Sequence, residues 1–105
     1  MHVQVVTYRV EDVTDADFVE ANKDFAEAMA AVPGLLAKVW LKGPEGEGRY
    51  GGLYLWRDRE AYDAFLAGEL WAEVLNDPSM LDVQAADYSV MEELTRATEP
   101  GLKVL

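Results

Sequence analysis

The residues best suited to chemistry in this sequence are large aromatic side chains, whose rings and polar edges can hold a flat molecule. The set comprises Trp40, Tyr54, Trp56, Tyr62, Phe65, Trp71 and Tyr88. Several of them must pack in the core. Buried Tyr and Trp side chains each need a hydrogen-bond partner, however, so a core without a ligand more often uses Leu, Ile and Phe, and isoleucine is absent here. The set therefore predicts a cavity that binds a small apolar or aromatic molecule.

The sequence contains few candidate residues for other kinds of catalytic site. The chain has no cysteine, which excludes thiolate nucleophiles, disulfides and iron–sulfur clusters. His2 is its only histidine, so multi-histidine metal sites are excluded, and its position beside the chain end predicts a solvated surface side chain. The acidic clusters lack the alternating pattern of a calcium loop. We therefore expect no metal and no cofactor.

Residues 46–51 match the glycine pattern of dinucleotide-binding loops, G-x-G-x-x-G. A dinucleotide site needs such a loop to lead into a helix whose N-terminus holds the pyrophosphate, and here the following residues predict a strand. Glu45 and Glu47 would also repel phosphates. The segment therefore predicts a flexible hairpin loop.

The charge of the chain limits its partners. Nine basic and twenty acidic residues give a formal net charge of -11, which repels a phosphate backbone or an anionic membrane surface. We expect no nucleic-acid partner. The sequence shows no apolar leader and no apolar run of the roughly 20 residues that a membrane-spanning helix needs, so we expect no membrane insertion and a cytoplasmic protein.

Periodicity and turn residues divide the chain into elements that suit one domain, residues 1–105. Alternating apolar residues predict strands, and apolar residues at spacings of three, four and seven predict helices. The expected strands are 2–10, 35–41, 50–56 and 81–91, the expected helices are 15–31, one after Asp58 and a short one at 69–76, and residues 92–105 form an extended or partly helical tail. This order, β-α-β-β-α-β, predicts an α+β fold of the ferredoxin-like kind with an antiparallel sheet.

Both alternations along the predicted strands are apolar. One contains Val3, Val5, Val39, Leu41, Leu53 and Leu55, and the other contains Val6, Tyr8, Trp40, Tyr54, Trp56 and Tyr88. Two helices cover only one face of a four-stranded sheet, and spacing alone does not say which set faces them. A second copy of the chain is the simplest cover for the other face, so we expect a homodimer.

Several short blocks, taken in order, resemble the YdhR-type monooxygenase family. They are Pro33-Gly34-Leu35 with Lys38-Val39-Trp40, Gly51-Gly52-Leu53-Tyr54-Leu55-Trp56 with Asp58 and Ala61-Tyr62, and Tyr88-Ser89-Val90-Met91-Glu92. The resemblance covers residues 32–95, and the first strand and helix agree in pattern only. It implies a dimeric α+β barrel, that is, a homodimer with a pocket between the sheet and the helices of each subunit.

The resemblance also implies site residues. The same superfamily contains cofactor-independent quinone-forming monooxygenases, haem-degrading enzymes and polyketide cyclases. In the quinone-forming enzymes an Asn, a Trp and a Tyr line the site, and the resemblance places the Trp at Trp56 and the Tyr at Tyr62. The Asn position falls on Gly52, which lacks its hydrogen-bonding amide. The haem-degrading relatives use a histidine on a helix, which this chain does not have.

The hypothesis that follows is a cofactor-independent monooxygenase oxidising a phenol-like or anthrone-like aromatic substrate with O2. Trp56 and Tyr62 are its expected catalytic hydrogen-bond donors, and no residue stands out as a general base. The expected substrate-binding residues are Trp40, Gly52, Tyr54, Phe65, Trp71 and Tyr88. Two alternatives stay open: a polyketide cyclase or isomerase using the same pocket without oxygen, and a non-catalytic binder of an apolar metabolite.

Overall fold

The computed structural model describes residues 1–99, which form four strands and four helices. The elements are β1 (His2–Arg9), α1 (Asp15–Ala30), β2 (Leu35–Lys42), β3 (Arg49–Trp56), α2 (Arg59–Leu66), α3 (Glu69–Asn76), β4 (Leu81–Ser89) and α4 (Glu92–Thr98). The predicted order is confirmed, and the fold is α+β and ferredoxin-like. The predicted tail begins as the short helix α4, and residues 100–105 lie outside the described part of the chain.

The four strands form one antiparallel sheet in the order β2-β3-β1-β4. The two central strands are therefore the first and the third in sequence. Their register pairs His2 with Trp56 and Val6 with Gly52, while Gly52 also faces Trp40 on β2. This register brings residues that are distant in sequence to the same place on the sheet.

Local sequence signals account for where the helices begin. The Thr14 hydroxyl accepts a hydrogen bond from the Asp17 backbone N–H at 3.1 Å, and the Asp17 carboxylate accepts one from the Thr14 N–H, so the predicted capping box is present. At α2, the Asp58 carboxylate accepts a hydrogen bond from the Ala61 N–H at 2.8 Å. Gly34 lies in the turn after α1 with φ +83°, and a Cβ there would overlap Ala61.

The face of the sheet with even-numbered residues of β1 and β3 lies against the helices. Gln4, Val6 and Trp56 are each no more than 1 % exposed, and Tyr54 is also buried. The opposite face, called the outer face below, carries Val3, Val5, Val39, Leu41, Leu53 and Leu55, all of them only half-buried. The two apolar faces predicted from the alternation are thus confirmed, and the helices cover the aromatic one.

Tyr88 is the exception to the predicted grouping. The sequence places it with Tyr54 and Trp56, but β4 pairs with β1 so that Tyr88 lies opposite Val3. Over residues 84–89, the odd residues of β4 therefore lie on the same face as the even residues of β1, because a register shift of one residue exchanges the two faces of a strand. The prediction is wrong for this residue: Tyr88 belongs to the outer face and is 59 % exposed.

The core lies between the helix-side face of the sheet and the helices. Its buried members are Val6, Met29, Tyr54, Trp56, Ala61, Tyr62 and Phe65. Aromatic rings thus form much of the core, as part of the aromatic set was expected to do. Within residues 1–99, no helix has the length and apolar character needed to cross a membrane.

Candidate active site

A cavity of about 220 Å³ opens between the sheet and helices α1 and α3. Rings form much of its wall, and charged side chains also reach it. The strands contribute Val6, Tyr8, Lys38, Trp40 and Tyr54, the helices contribute Asn22, Phe25, Glu73 and Val74, and Asp77 and Met80 close it. An aromatic wall with a few polar groups is the arrangement that binds small flat ligands.

Larger cavities, of about 290–560 Å³, also lie on the described part of the chain, and two of them differ from this one in their lining or position. One, of about 560 Å³, lies between the β1–α1 and β2–β3 loops, and charged side chains and glycines form most of its lining. The other, of about 420 Å³, is an apolar groove between α1 and the edge strand β2. Val19, which lines this groove, is 59 % exposed. Rings of Phe18, Trp40 and Tyr50 line this groove too. We take the 220 Å³ cavity as the candidate site because it brings together Trp40 and Tyr54, two of the predicted site residues.

Lys38 is the most unusual residue of this cavity, and sequence reasoning missed it. Its Nζ atom lies 3.6 Å from the ring centroid of Trp40, 4.5 Å from that of Tyr54 and 4.8 Å from that of Phe25. Among residues 1–99 it has no ion pair and no side-chain hydrogen bond. A half-buried lysine without a carboxylate partner is rare, because few lysines leave water unpaired.

The surroundings of Lys38 change its acidity. Burial lowers the pKa of Lys38 to about 7, from its usual 10.5. The three ring faces act in the opposite direction and offset part of the effect of burial, because aromatic faces stabilise an ammonium group. A fraction of Lys38 is therefore neutral near pH 7.

The tyrosines of the cavity shift in the other direction. Burial, with a smaller contribution from Asp77, raises the pKa of Tyr8 to about 12. Burial also raises the pKa of Tyr54. Both phenols therefore stay neutral near pH 7, and either can donate a hydrogen bond to a ligand oxygen but cannot act as a base.

Gly52 makes room for Lys38. A Cβ atom at Gly52 would lie 2.9 Å from the Lys38 Cε atom and 3.2 Å from Cε1 of Tyr54, so the lysine side chain would have to move away. Gly52 and Lys38 are diagonal neighbours on β3 and β2, because Lys38 pairs with Tyr54 and Gly52 pairs with Trp40. The position where the resemblance expects an Asn thus has no side chain, and a lysine from the next strand occupies the space.

The predicted site residues separate into groups. Trp40 and Tyr54 line the cavity and Gly52 lies beside it. Trp56, Phe65 and Trp71 form a cluster of rings next to it: the Trp56 and Phe65 centroids are 4.9 Å apart, and those of Phe65 and Trp71 are 5.8 Å apart.

Trp56 has a partner inside the protein. It is fully buried, and its indole N–H donates to the Gln4 side-chain oxygen at 3.4 Å. Its ring lies parallel to that of Tyr54, with a centroid separation of 6.3 Å. In this structure Trp56 therefore supports the cavity wall from behind.

Tyr62 lies in a separate polar cluster at the other end of the sheet. Its ring is 4.8 Å from the ring of His2, whose Nε2 atom is 2.7 Å from a carboxylate oxygen of Asp87. Burial and the adjacent Asp87 carboxylate raise the pKa of Tyr62. The prediction of a solvated His2 is wrong, since His2 is only 3 % exposed. His2 is buried because β1 pairs there with the end of β4. The sequence signal that could have predicted this burial is that His2 falls on the same strand alternation as Gln4.

The His2–Asp87 contact predicts a pH dependence of stability. The hydrogen bond from His2 is the largest cause that lowers the pKa of Asp87. A carboxyl group with a lowered folded-state pKa stabilises the fold above its unfolded pKa, about 3.9, and loses this contribution as pH falls through the folded value. We therefore expect Asp87→Asn to melt below wild type at pH 6, with the difference shrinking below about pH 4.

Thermal melts between about pH 2.5 and pH 7 measure this effect, since they span the titration of the carboxyl group. Asp24→Asn, on the exposed side of α1, is the matched control and is expected to follow wild type throughout. A melting difference for Asp87→Asn that stays constant across this pH range would contradict the assignment.

The chain matches a family model over nearly its whole length. The model described as "Putative mono-oxygenase ydhR" matches residues 3–100. The chain belongs to the ydhR family. The match includes the first strand and helix, so the predicted resemblance is confirmed and extends beyond residues 32–95. No curated protein matches this ydhR-family chain.

Solved structures agree with the fold of this ydhR-family chain. A "putative antibiotic biosynthesis monooxygenase" from Deinococcus radiodurans has a TM-score of 0.71 and 17% identity, over 88% of this chain and 94% of its own. A mutant of SnoaB, a cofactor-independent oxygenase from Streptomyces nogalater, has a TM-score of 0.66 and 16% identity, over 87% and 94%. A mutant of MhuD with manganese protoporphyrin IX bound has a TM-score of 0.60 and 23% identity, over 87% and 95%. At these identities, the likeness shows the fold alone.

Proposed function

We propose that this ydhR-family protein is a cofactor-independent monooxygenase that oxidises an electron-rich aromatic molecule, such as a phenol or anthrone, with O2. The observation that carries the proposal is the cavity walled by Tyr8, Phe25, Trp40 and Tyr54. The family description supports oxygen chemistry, and SnoaB, which has a similar fold, is a cofactor-independent oxygenase. The cavity volume of about 220 Å³ is below the range of about 300–1,000 Å³ common for drug-sized ligands, which favours a small aromatic substrate.

The proposed reaction needs few catalytic groups from the protein. An electron-rich aromatic that has lost a proton can give electrons to O2 directly, so the site must bind the substrate, orient it and assist deprotonation. The aromatic side chains of the cavity wall would fix the orientation of the flat substrate. The neutral phenols of Tyr8 and Tyr54 can donate hydrogen bonds to an oxyanion that develops on it.

Trp56 and Tyr62 are the hydrogen-bond donors that the family resemblance implies. To play this role, each of the two side chains would have to change its present contacts. Trp56 would have to exchange Gln4 for a substrate oxygen, and Tyr62 lies beside Asp87 in the separate polar cluster. Trp56→Phe and Tyr62→Phe remove the donors and keep aromatic rings, so they test this part of the proposal separately from the cavity.

A porphyrin is a poor fit to these residues, although the MhuD structure has one bound on a similar fold. Histidine ligation would depend on His2, the only histidine of the chain. The Nε2 atom of His2 lies 2.7 Å from Asp87, and the side chain is buried on β1. The residues therefore do not offer a free imidazole to an iron atom.

Oxygen consumption tests the proposed function. Purified protein with chelator present is mixed with a panel of small phenols, hydroquinones and anthrones, while O2 uptake and product mass are followed. We expect one O2 consumed per product with at least one substrate, and a rate at least about 10-fold lower in Tyr54→Ala, because this variant removes a wall of the cavity. Val19→Ala, on the exposed side of α1, is the control and should keep the wild-type rate.

Three outcomes of that experiment would contradict the proposal in different ways. Product without O2 uptake would indicate a cyclase or isomerase. Thermal stabilisation by a panel member without any product would indicate a binding protein. A rate that appears only when the chelator is left out would indicate that a metal is required.

We also propose that the protein forms a homodimer through the outer face of the sheet. Apolar residues of three neighbouring strands lie side by side there, as in the pair Val5 and Leu53, and Tyr88 continues the patch on β4. The residues that follow β4 add exposed apolar side chains, with Met91 at 71 % and Leu94 at 66 % exposure. A contiguous patch of this kind favours a protein partner, and a second copy presents a matching surface.

A further inference from the structure

The cavity contains an amine whose chemistry the proposed function has not used, that of Lys38. Its side chain crosses Gly52 and ends among three aromatic rings, with the Nζ atom 3.6 Å from the Trp40 centroid. A lysine that served only stability would be expected to reach water or a carboxylate. Lys38 instead lines the space where a ligand would lie.

The geometry points to Lys38 as the general base of this cavity. Its amine accepts a proton from the O–H or activated C–H group of the aromatic substrate, an inference that rests on the proposed function. The ring faces that surround Nζ also suit the ammonium product, since aromatic faces attract cations. Lys38 would thus supply the base that the sequence did not reveal, and the same atom would stabilise the substrate anion once it is formed.

The other groups around the cavity agree with this role. Tyr8 on β1 and Tyr54 on β3 stay neutral near pH 7, and α1 presents the uncharged Asn22. Glu73 on α3 and Asp77 after it line the same cavity and form no ion pair with Lys38. The amine is therefore the cavity group best placed to gain and lose a proton near pH 7.

The complete step conserves atoms and electrons. At a substrate methylene carbon, a C–H bond breaks, an N–H bond forms on Lys38, and the electron pair stays on carbon. The carbanion passes one electron to O2, and the resulting carbon radical and superoxide combine through a new C–O bond to give a peroxide anion. The Lys38 ammonium protonates this anion to a hydroperoxide. The neutral amine then takes the second proton from the same carbon, the electron pair of that C–H bond forms the carbonyl group as the O–O bond breaks, and hydroxide leaves. The proton on Lys38 converts the hydroxide to water. In sum, one methylene group and one O2 give one carbonyl group and one water, and the amine is neutral again.

A binding experiment without oxygen tests the base directly. The probe is para-nitrophenol, whose phenolate absorbs visible light and whose neutral form does not. In wild type we expect the midpoint for deprotonation of the bound probe to lie about one pH unit or more below that in Lys38→Met, because the ammonium stabilises the phenolate. Lys23→Met, which removes an exposed lysine on α1, should match wild type. Equal midpoints in wild type and Lys38→Met would overturn the inference.

The acidity of the amine itself can be measured without any ligand. Lysine labelled with ¹³C at Cε gives one NMR signal for each of the four lysines of the chain, and Lys38→Met assigns the signal of interest. We expect this signal to titrate well below the ordinary lysine value of about 10.4. Titration at the ordinary value would overturn the inference, including in the case where the probe does not bind.

Turnover separates this inference from the proposed function. With any substrate that wild type oxidises, Lys38→Met should lower kcat/KM by about 100-fold or more and remove the pH-dependent limb near neutrality. Oxidation by Lys38→Met at the wild-type rate and pH profile would reject Lys38 as base and leave the proposed function intact. No O2 uptake by wild type, together with a Lys38-dependent phenolate, would reject the oxygenase and keep the base.

Discussion

Trp56→Ala is expected to lower the free energy of unfolding by about 3–5 kcal/mol, the range for removing a large buried aromatic ring. Trp56 is fully buried, and its ring centroid lies 4.9 Å from that of Phe65. The substitution leaves a void behind Tyr54 and leaves the Gln4 oxygen without its indole donor. Domains of this size have about 5–15 kcal/mol of stability in total, so the loss is a large share. Urea unfolding followed by circular dichroism measures it.

Two further variants divide the Trp56 effect into parts. Trp56→Phe keeps most of the ring and removes the indole N–H, so we expect a loss of about 1–3 kcal/mol from the unpaired Gln4 oxygen and the smaller ring. Trp40→Ala is the control for a Trp that is 36 % exposed, and it should cost less than Trp56→Ala. If Trp56→Ala cost no more than Trp40→Ala, Trp56 would not be the centre of the core.

The double variant Val5→Glu with Leu53→Glu is expected to convert a dimer into a monomer. The two residues pair directly across β1 and β3 on the outer face, where each is half-buried within one chain. In a dimer, the new carboxylates of both copies would then leave water without partners, which should weaken association by about 100-fold or more. Size-exclusion chromatography with light scattering at micromolar concentration measures the mass.

Val19→Glu is the control that adds a carboxylate on the helix side of the molecule, where Val19 is exposed. This variant should keep the mass of wild type. A wild-type protein that is monomeric at micromolar concentration would refute the proposed dimer. A double variant that remains a dimer would move the interface away from the outer face.

Local signals made most of the fold predictable. Thr14 with Asp17, and Asp58 alone, mark helix starts through hydrogen bonds to residues close by in sequence, so the sequence carries all of the information. Strand positions followed from alternation in the same way. The face assigned to Tyr88 was not predictable, because it depends on which residue of β1 lies opposite, and that register is a long-range property.

The candidate site was predictable only in part for the same reason. The aromatic set indicated a ring-lined cavity, and Trp40 and Tyr54 do line it. Lys38, however, looks like an ordinary exposed strand lysine in sequence. Its burial depends on the missing side chain at Gly52, which belongs to another strand and becomes adjacent only when β2 and β3 pair.

The close approach of Lys38 to Gly52 links the residue types that the two positions can accept. A larger residue at Gly52 would push Lys38 Cε away, so a lysine laid across the sheet from β2 and a polar side chain on β3 compete for the same space. A change at either position therefore affects the other. A side chain at position 52 would displace Lys38, and a small residue at position 38 would leave an unfilled space above Gly52.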